Sequence, residues 1–136
     1  MTGPVGVGVI GAGMISEQYL DNLTTFPDVT VHFVADLDVA RAASQAERYG
    51  VPASGTVDEL LARPEIEIVV NLTIPAAHVE VARRIIESGK HAFTEKPFSL
   101  DRETGRALLA DAAARGVRVA TAPDTFLGPG LQTGKR

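Results

Sequence analysis

The apolar residues of this chain switch repeatedly between a period of two and a period of about 3.6, and each switch predicts an element boundary. Over Val5 to Ile10, Val5, Val7 and Val9 fall on one face and Gly6, Gly8 and Ile10 on the other, which predicts a strand with one side open to close approach. Beyond Gly11-Ala12-Gly13, the residues Ile15, Tyr19, Leu20 and Leu23 recur at helical spacing. A helix is therefore expected from Met14 to Thr24, stopping before Phe26-Pro27. Thr30 to Ala35 reads as a second strand ending in Asp36-Leu37-Asp38, and the alanine-rich Val39 to Tyr49 as a helix closed by Gly50. Pro52 to Gly55 can supply only a short edge strand. Thr56 and Glu59 have the spacing of a capping box and open a short helix through Ala62.

Ile66 to Leu72 is mostly β-branched and apolar, with Glu67 its one charge, a fourth strand leading into Thr73-Ile74-Pro75. Ala76 to Ser88 places Val79, Ala82 and Ile86 on one helical face before Gly89, and His91 to Thr94 is a fifth short strand running into Glu95-Lys96-Pro97. Ser99 is the expected N-cap of a last helix, with Asp101 and Glu103 in its first turn and Gly116 after Arg115. Gly105 inside that helix costs about 1 kcal/mol relative to alanine. Val117 to Ala120 is the final strand. Strands that alternate with helices through short links must pair in parallel by right-handed crossovers. The expected architecture is thus α/β, a three-layer, Rossmann-type doubly wound parallel sheet in the order 3-2-1-4-5-6, filling residues 1–120. Such sheets bind ligands beyond the carboxyl ends of their strands, which aligns Gly11 to Ile15, Asp36, Thr73 to Pro75 and Glu95 to Pro97 along one edge.

Composition narrows the chemistry. The 136 residues suffice for one domain with a core, and zero cysteines exclude disulfides and thiolate metal sites; no metal is expected. A net charge of −4 without a basic cluster argues against nucleic acid as a partner. No apolar run approaches the ~18 residues that span a bilayer, and the first residues lack the pattern of a signal peptide, so a cytoplasmic protein without a membrane partner is expected.

The first strand, glycine turn and helix form a site for phosphate. Gly11 makes the turn, Gly13 leaves room for a pyrophosphate, and the free N–H groups at the helix start carry about half a positive charge toward it. Ser16 stands where this fingerprint usually has Gly or Ala, and is small enough to keep helix and sheet close. Asp36 lies 23 residues after Gly13, the place of an acid that grips the ribose hydroxyls of a dinucleotide, while Asp38 reads as the cap of the next helix. A 2′-phosphate beside Asp36 would be repelled by about 4 kcal/mol for unit charges ~4 Å apart at an effective dielectric of ~20, which favours NAD over NADP. Arg41 is able to reach back and soften that penalty, but is read as a solvated helix arginine.

With Asn71-Leu72-Thr73-Ile74-Pro75-Ala76-Ala77-His78 and then Gly89-Lys90-His91-Ala92-Phe93-Thr94-Glu95-Lys96-Pro97, the chain resembles the glucose-fructose oxidoreductase, inositol dehydrogenase and rhizopine-catabolism (Gfo/Idh/MocA) family over Val5 to about Pro129. The resemblance implies an NAD(P)-dependent dehydrogenase that moves a hydride between the nicotinamide and a sugar, cyclitol or related polyol, in a full-length protein that is a homo-oligomer. It implies that Ala12, Met14 and Ile15 hold the pyrophosphate through their backbone, that Asp36 and Leu37 flank the adenosine ribose, and that Thr73, Pro75 and His78 line the dinucleotide groove. Glu95 and Lys96 would sit near the nicotinamide, with Lys96 as the catalytic residue touching the substrate hydroxyl. A cation there favours the more negative state of an alcohol or of a proton-transfer base. Asp28 and His32 repeat a family Asp-x-x-x-His pattern, but they enter a strand, where four residues span about 13 Å, and cannot meet as they would on a helix. His32 and His91 are read as structural.

The chain departs from the family after Thr121. Asp124 stands where an asparagine is expected and the neighbouring arginine is missing, although Asp124 is still placed toward the nicotinamide. Residues 121–136 read as the start of a connection to a C-terminal substrate domain that the sequence lacks, so the expectation is a cofactor half that binds NAD without turnover. Two other readings stay open: a non-catalytic relative that senses NAD, and a Rossmann-like domain for S-adenosylmethionine, against which Glu95-Lys96-Pro97 argues.

Overall fold

The computed structural model describes residues 4–94 and 102–121. β1 (Val5–Ile10), α1 (Met14–Leu23), β2 (Val29–Ala35), α2 (Val39–Tyr49), β3 (Ser54–Gly55) and α3 (Val57–Leu61) form the first half. β4 (Ile68–Asn71), a 3-10 turn (Pro75–Ala77), α4 (His78–Glu87), β5 (His91–Thr94), α5 (Arg102–Arg115) and β6 (Val119–Thr121) form the second. The strands make one six-stranded sheet in the order β3-β2-β1-β4-β5-β6, every pair parallel. The expected topology is therefore the observed one, and the element bounds differ from the pattern-based ones by a few residues at most. The expected Ser99 cap lies outside the described residues.

Local chemistry accounts for the boundaries. Gly50, Gly89 and Gly116 adopt positive φ just after helices, the left-handed ending that glycine supplies at least cost. Asp38 Oδ1 accepts from the Arg41 N–H at 3.1 Å and caps α2, while Thr56 and Glu59 complete a reciprocal capping box at the start of α3.

Two apolar cores lie on opposite sides of the sheet. Val7, Val9 and Val34 pack with Leu20 of α1 and Ala42 and Ala46 of α2. Ile10 and Phe33 pack on the other side with Leu60, Ile85, Ile86 and Leu108 from α3, α4 and α5. Burial of each such large aliphatic side chain is worth about 2 kcal/mol. The valine and glycine faces of β1 thus divide as their alternation predicts: a methyl on Gly8 would stand 3.0 Å from three atoms of Leu60, so α3 sits where only glycine lets it. The buried face of α5 is Gly105, Leu108 and Ala112, which places the helix-weakening glycine against the core rather than in solvent.

β2 does not follow simple alternation. Val7 pairs with Val31 but Gly8 pairs with Phe33, so His32 is an extra residue in a bulge, and Val31 and Phe33 end on opposite faces. Lys90 is buried, with Nζ donating to the carbonyls of Arg63 at 2.6 Å and Ile66 at 2.8 Å. It fastens the link between α3 and β4, and its burial pushes the ammonium below its usual range. His91 is structural, its Nδ1 accepting from the Arg118 N–H at 3.0 Å. Among the described residues no helix is long and apolar enough to cross a membrane.

Candidate functional site

The carboxyl ends of the strands are level. Ile10 pairs with Ala35 on one side and with Asn71 on the other, and Asn71 pairs with Thr94. The residues that follow, Gly11, Asp36 and Leu72-Thr73, therefore leave the sheet side by side, and Thr94 brings the chain to the same edge just before Glu95. Glu95, Lys96 and Asp124 themselves lie outside the described residues.

The glycine turn is fixed on both flanks. Gly11 N–H donates to the Ala35 carbonyl at 2.7 Å and Leu72 N–H to the Ile10 carbonyl at 2.8 Å. Gly11 holds φ at +107°, and a Cβ there would lie 2.9 Å from the Leu72 carbonyl carbon and oxygen. Gly13 is the N-cap of α1 and provides no side chain to satisfy the helix start; a Cβ on it would meet nothing within 4 Å. Ser16, fully buried, gives its hydroxyl to the Gly13 carbonyl at 2.6 Å and accepts from Gln45 Nε2 at 3.0 Å, so the third fingerprint position ties α1 to α2. An uncapped helix start with open space before it fits an anion, which supplies the acceptors that the first N–H groups lack.

Asp36 is the other fixed point. The residue is buried. Oδ2 accepts from the Ala12 N–H at 3.1 Å and from Arg41 Nε at 2.9 Å, whereas Oδ1 receives only a long 3.4 Å contact from the Asp38 N–H. The glycine turn and the strand-two acid are thus directly bonded, and Oδ1 is the oxygen with capacity left for a ribose hydroxyl. The Ala12 N–H, expected among the pyrophosphate donors, is spent on this bond; Met14 and Ile15 supply the N–H groups of the open helix start. Burial pushes the Asp36 carboxyl up, but hydrogen bonds from Arg41 and Ala12, the Arg41 charge and the Asp38 N–H outweigh it, and the group titrates below its usual range.

Arg41 corrects the sequence reading. It is not a merely solvated helix arginine: it stands in the first turn of α2 and closes an ion pair with Asp36. A signal for this was present, because a cation in the first turn of a helix opposes the helix dipole unless an anion is at hand.

Around these points lie exposed apolar side chains. Leu37 is 98% exposed, Met14 88% and Ile74 71%, and each follows the end of a different strand. A cleft of about 310 Å³ opens between the turn and α2, lined by Ala12, Gly13, Met14, Glu17, Arg41, Ser44 and Gln45. On the β4 side, Asn71 is fully buried and organises the next loop. Its Nδ2 donates to the His78 carbonyl at 3.0 Å, and its Oδ1 accepts from the Thr73 N–H at 3.2 Å and hydroxyl at 2.7 Å. Thr73 is half-buried at the edge and Pro75 begins the 3-10 turn, while the His78 ring is buried at the start of α4. Asn71 was absent from the sequence-derived site; the signal was a lone amide ending an apolar strand. Among the described residues no group of His, Cys, Asp or Glu is arranged to hold a metal ion.

The profile of an oxidoreductase family with an NAD-binding Rossmann fold matches residues 5–122. An inositol 2-dehydrogenase/D-chiro-inositol 3-dehydrogenase of Lactiplantibacillus plantarum is 34% identical over 98 residues, 70% of this chain and 28% of that protein. Two solved structures superpose on nearly the whole chain. GenD2 from gentamicin A biosynthesis, in complex with NAD, has a TM-score of 0.88 at 32% identity, covering 95% of this chain and 37% of its own. KijD10, a 3-ketoreductase from Actinomadura kijaniata in complex with NADP, has a TM-score of 0.88 at 30% identity, covering 96% and 42%. The chain spans about a third of the length of the curated relatives it matches.

Proposed function

Since this chain belongs to the Gfo/Idh/MocA oxidoreductase family, with its NAD-binding Rossmann fold, we propose that it is the cofactor-binding unit of a dehydrogenase acting on a sugar, cyclitol or related polyol. The observation that carries the reading is the bond between Ala12 and Asp36: it joins an open helix start to a buried carboxylate with one oxygen to spare. Among the described residues, no atom lies within 4 Å of where a Cβ on Gly13 would stand.

The proposed roles follow from that geometry. The N–H groups at Gly13, Met14 and Ile15 take the pyrophosphate, and Asp36 Oδ1 accepts from the adenosine ribose. Exposed Leu37 and Ile74 offer apolar surface to the adenine. Thr73, Pro75 and His78 shape the groove toward β5, where Glu95, Lys96 and Asp124 would meet the nicotinamide and the substrate. A bound nicotinamide ring supplies hydride chemistry; the part of Lys96 is to hold a positive charge beside the substrate hydroxyl and ease loss of its proton. Asp36 favours NAD, because its carboxylate accepts from a ribose hydroxyl and repels a 2′-phosphate. The chain by itself is expected to bind without turnover.

Titration calorimetry with NAD and S-adenosylmethionine tests this reading. NAD should bind and S-adenosylmethionine should not. Gly13→Glu should lower NAD affinity at least ~100-fold, by setting a carboxylate against the pyrophosphate. The fold should survive, since a side chain at Gly13 enters open space at an ordinary φ of −76°. Unchanged NAD binding in this variant would remove the phosphate site.

A further inference from the structure

We propose that Ser16 and Gln45 are positioning residues for the pyrophosphate, which together lock the Gly13–Met14 peptide with its N–H turned toward the open helix start. The inference rests on the cofactor reading above and adds to it two side chains that act without touching the ligand.

The lock begins at the Gly13 carbonyl. It accepts twice from one residue, from the Ser16 N–H at 3.0 Å and from the Ser16 hydroxyl at 2.6 Å. A peptide unit is planar and trans, so a carbonyl drawn into the helix sends the N–H of the same unit, that of Met14, the opposite way. That way lies the open space before α1, where a Cβ on Gly13 would meet nothing within 4 Å. Gly13 brings no side chain to hold the peptide, and glycine leaves its backbone the widest freedom to tilt. A tilt swings the carbonyl oxygen outward, where its partial negative charge repels a phosphate that the N–H would attract.

Gln45 decides where Ser16 points its one proton. A hydroxyl has a single hydrogen to give and lone pairs with which to receive. Gln45 Nε2 donates to Ser16 Oγ at 3.0 Å, which occupies the accepting side and leaves the hydrogen to the Gly13 carbonyl. Both side chains are buried, Ser16 fully, and in such surroundings each hydrogen bond polarises and strengthens the next. Packing does not explain the pair. Glycine or alanine, the usual residues at this place in the fingerprint, would let α1 approach the sheet as closely, with no hydroxyl to bury and no amide needed to satisfy it. The relay also joins the phosphate end of the cleft to α2, on which Gln45 stands beside Gly13 and Met14.

The test measures affinities for NAD, inorganic pyrophosphate and adenosine, which keeps the ribose and has no phosphate, with the parent chain, Ser16→Ala, Gln45→Met and the double variant. Alanine is ordinary at this place in the fingerprint and methionine has the reach of glutamine, so folded variants are expected. Ser16→Ala should weaken NAD and pyrophosphate about tenfold and Gln45→Met about threefold, with adenosine within about twofold of the parent. A merely structural role would weaken every ligand alike, and that outcome overturns the proposal. The double variant should lose no more NAD affinity than Ser16→Ala, because Gln45 acts through the hydroxyl; additive losses overturn the relay. In NMR titrations, pyrophosphate should move the Met14 amide proton of the parent strongly downfield and that of Ser16→Ala much less. Should neither single variant fold, the parent titration decides, and a Met14 amide that pyrophosphate leaves in place overturns the proposal while NAD binding stands. A parent chain that binds neither NAD nor adenosine overturns the cofactor reading beneath it.

Discussion

Gly11 keeps φ at +107° with the Leu72 backbone 2.9 Å from where a Cβ would stand, whereas Gly13 has φ −76° and empty space in front of it. The same residue type thus serves opposite needs within one turn. At Gly11 the protein has no room, and glycine is required for the chain to fold. At Gly13 there is room that the fold does not use, so the glycine has meaning only if something else occupies it. The whole edge divides in the same way, into a fixed wall of Gly11, Ala12, Asp36 and Asn71 that is bonded internally, and an open wall of Gly13, Met14, Leu37 and Ile74 that is not buried by the protein itself.

Gly11→Ala is the strongest way to break that comparison. Positive φ in a residue with a Cβ costs about 1–3 kcal/mol and forcing a methyl onto backbone costs a similar amount, so a loss of about 3 kcal/mol is expected. Urea unfolding measures it, and NAD affinity of the remaining folded fraction should be much less affected. Gly13→Glu is the mirror image, with stability within about 1 kcal/mol of the parent and binding lost. Should the two variants lose stability equally, the division between walls is wrong.

Asn71→Ala comes next, at about 2 kcal/mol, because it strips partners from the Thr73 N–H and hydroxyl and from the His78 carbonyl inside a buried site. Amide exchange at Thr73 should accelerate along with the fall in stability. Normal protection at Thr73 would mean that the loop is held by its own turn and that the fixed wall ends at β1.

How much of this was legible in the sequence follows from the range of each interaction. The two faces of β1, the α2 stop at Gly50 and the Thr56 capping box depend on periodicity and neighbours within four residues, and the sheet order follows from the alternation of strands and helices; all were readable. The bulge at His32 was not, because alternation alone assigns Val31 and Phe33 to one face and only pairing with β1 separates them. The burial of Lys90 was not readable either, since the carbonyls it binds lie 24 and 27 residues earlier. The ion pair of Arg41 with Asp36 crosses a strand end and a helix start, so its two partners belong to different periodic patterns. Fingerprint spacing could say that Asp36 faces a ribose; it could not say how many of that carboxylate's acceptor positions the protein already fills.

A smaller effect gives a control away from the edge. Thr56→Ala removes the side chain that accepts the Glu59 N–H at 3.1 Å and should cost about 1 kcal/mol in urea unfolding. NAD affinity should not change, since α3 packs on the far side of β1 from the glycine turn's helix. A matching loss of NAD affinity would show that stability and binding are not separable in this fold, and the contrast drawn from Gly11 and Gly13 would lose its meaning.

The smallest expected effect is the acid dependence of Asp36, because burial and hydrogen bonding act on its carboxyl in opposite senses and only their difference remains. That difference lowers the folded-state pKa below the ordinary 3.8. A carboxyl lowered on folding contributes stability that is fully present above its unfolded value and is lost as pH falls through the folded one. The gap in stability between the parent chain and Asp36→Asn should therefore be constant from neutral pH down to about 4 and shrink below it. Arg41→Gln should shrink the gap at neutral pH, since it removes one of the groups that keep the carboxylate charged, while the bond from Ala12 preserves part of it. A gap that persists unchanged to the lowest pH at which the chain is folded would mean that Asp36 is held by shape rather than by charge, and the fixed wall would then owe nothing to its ion pair.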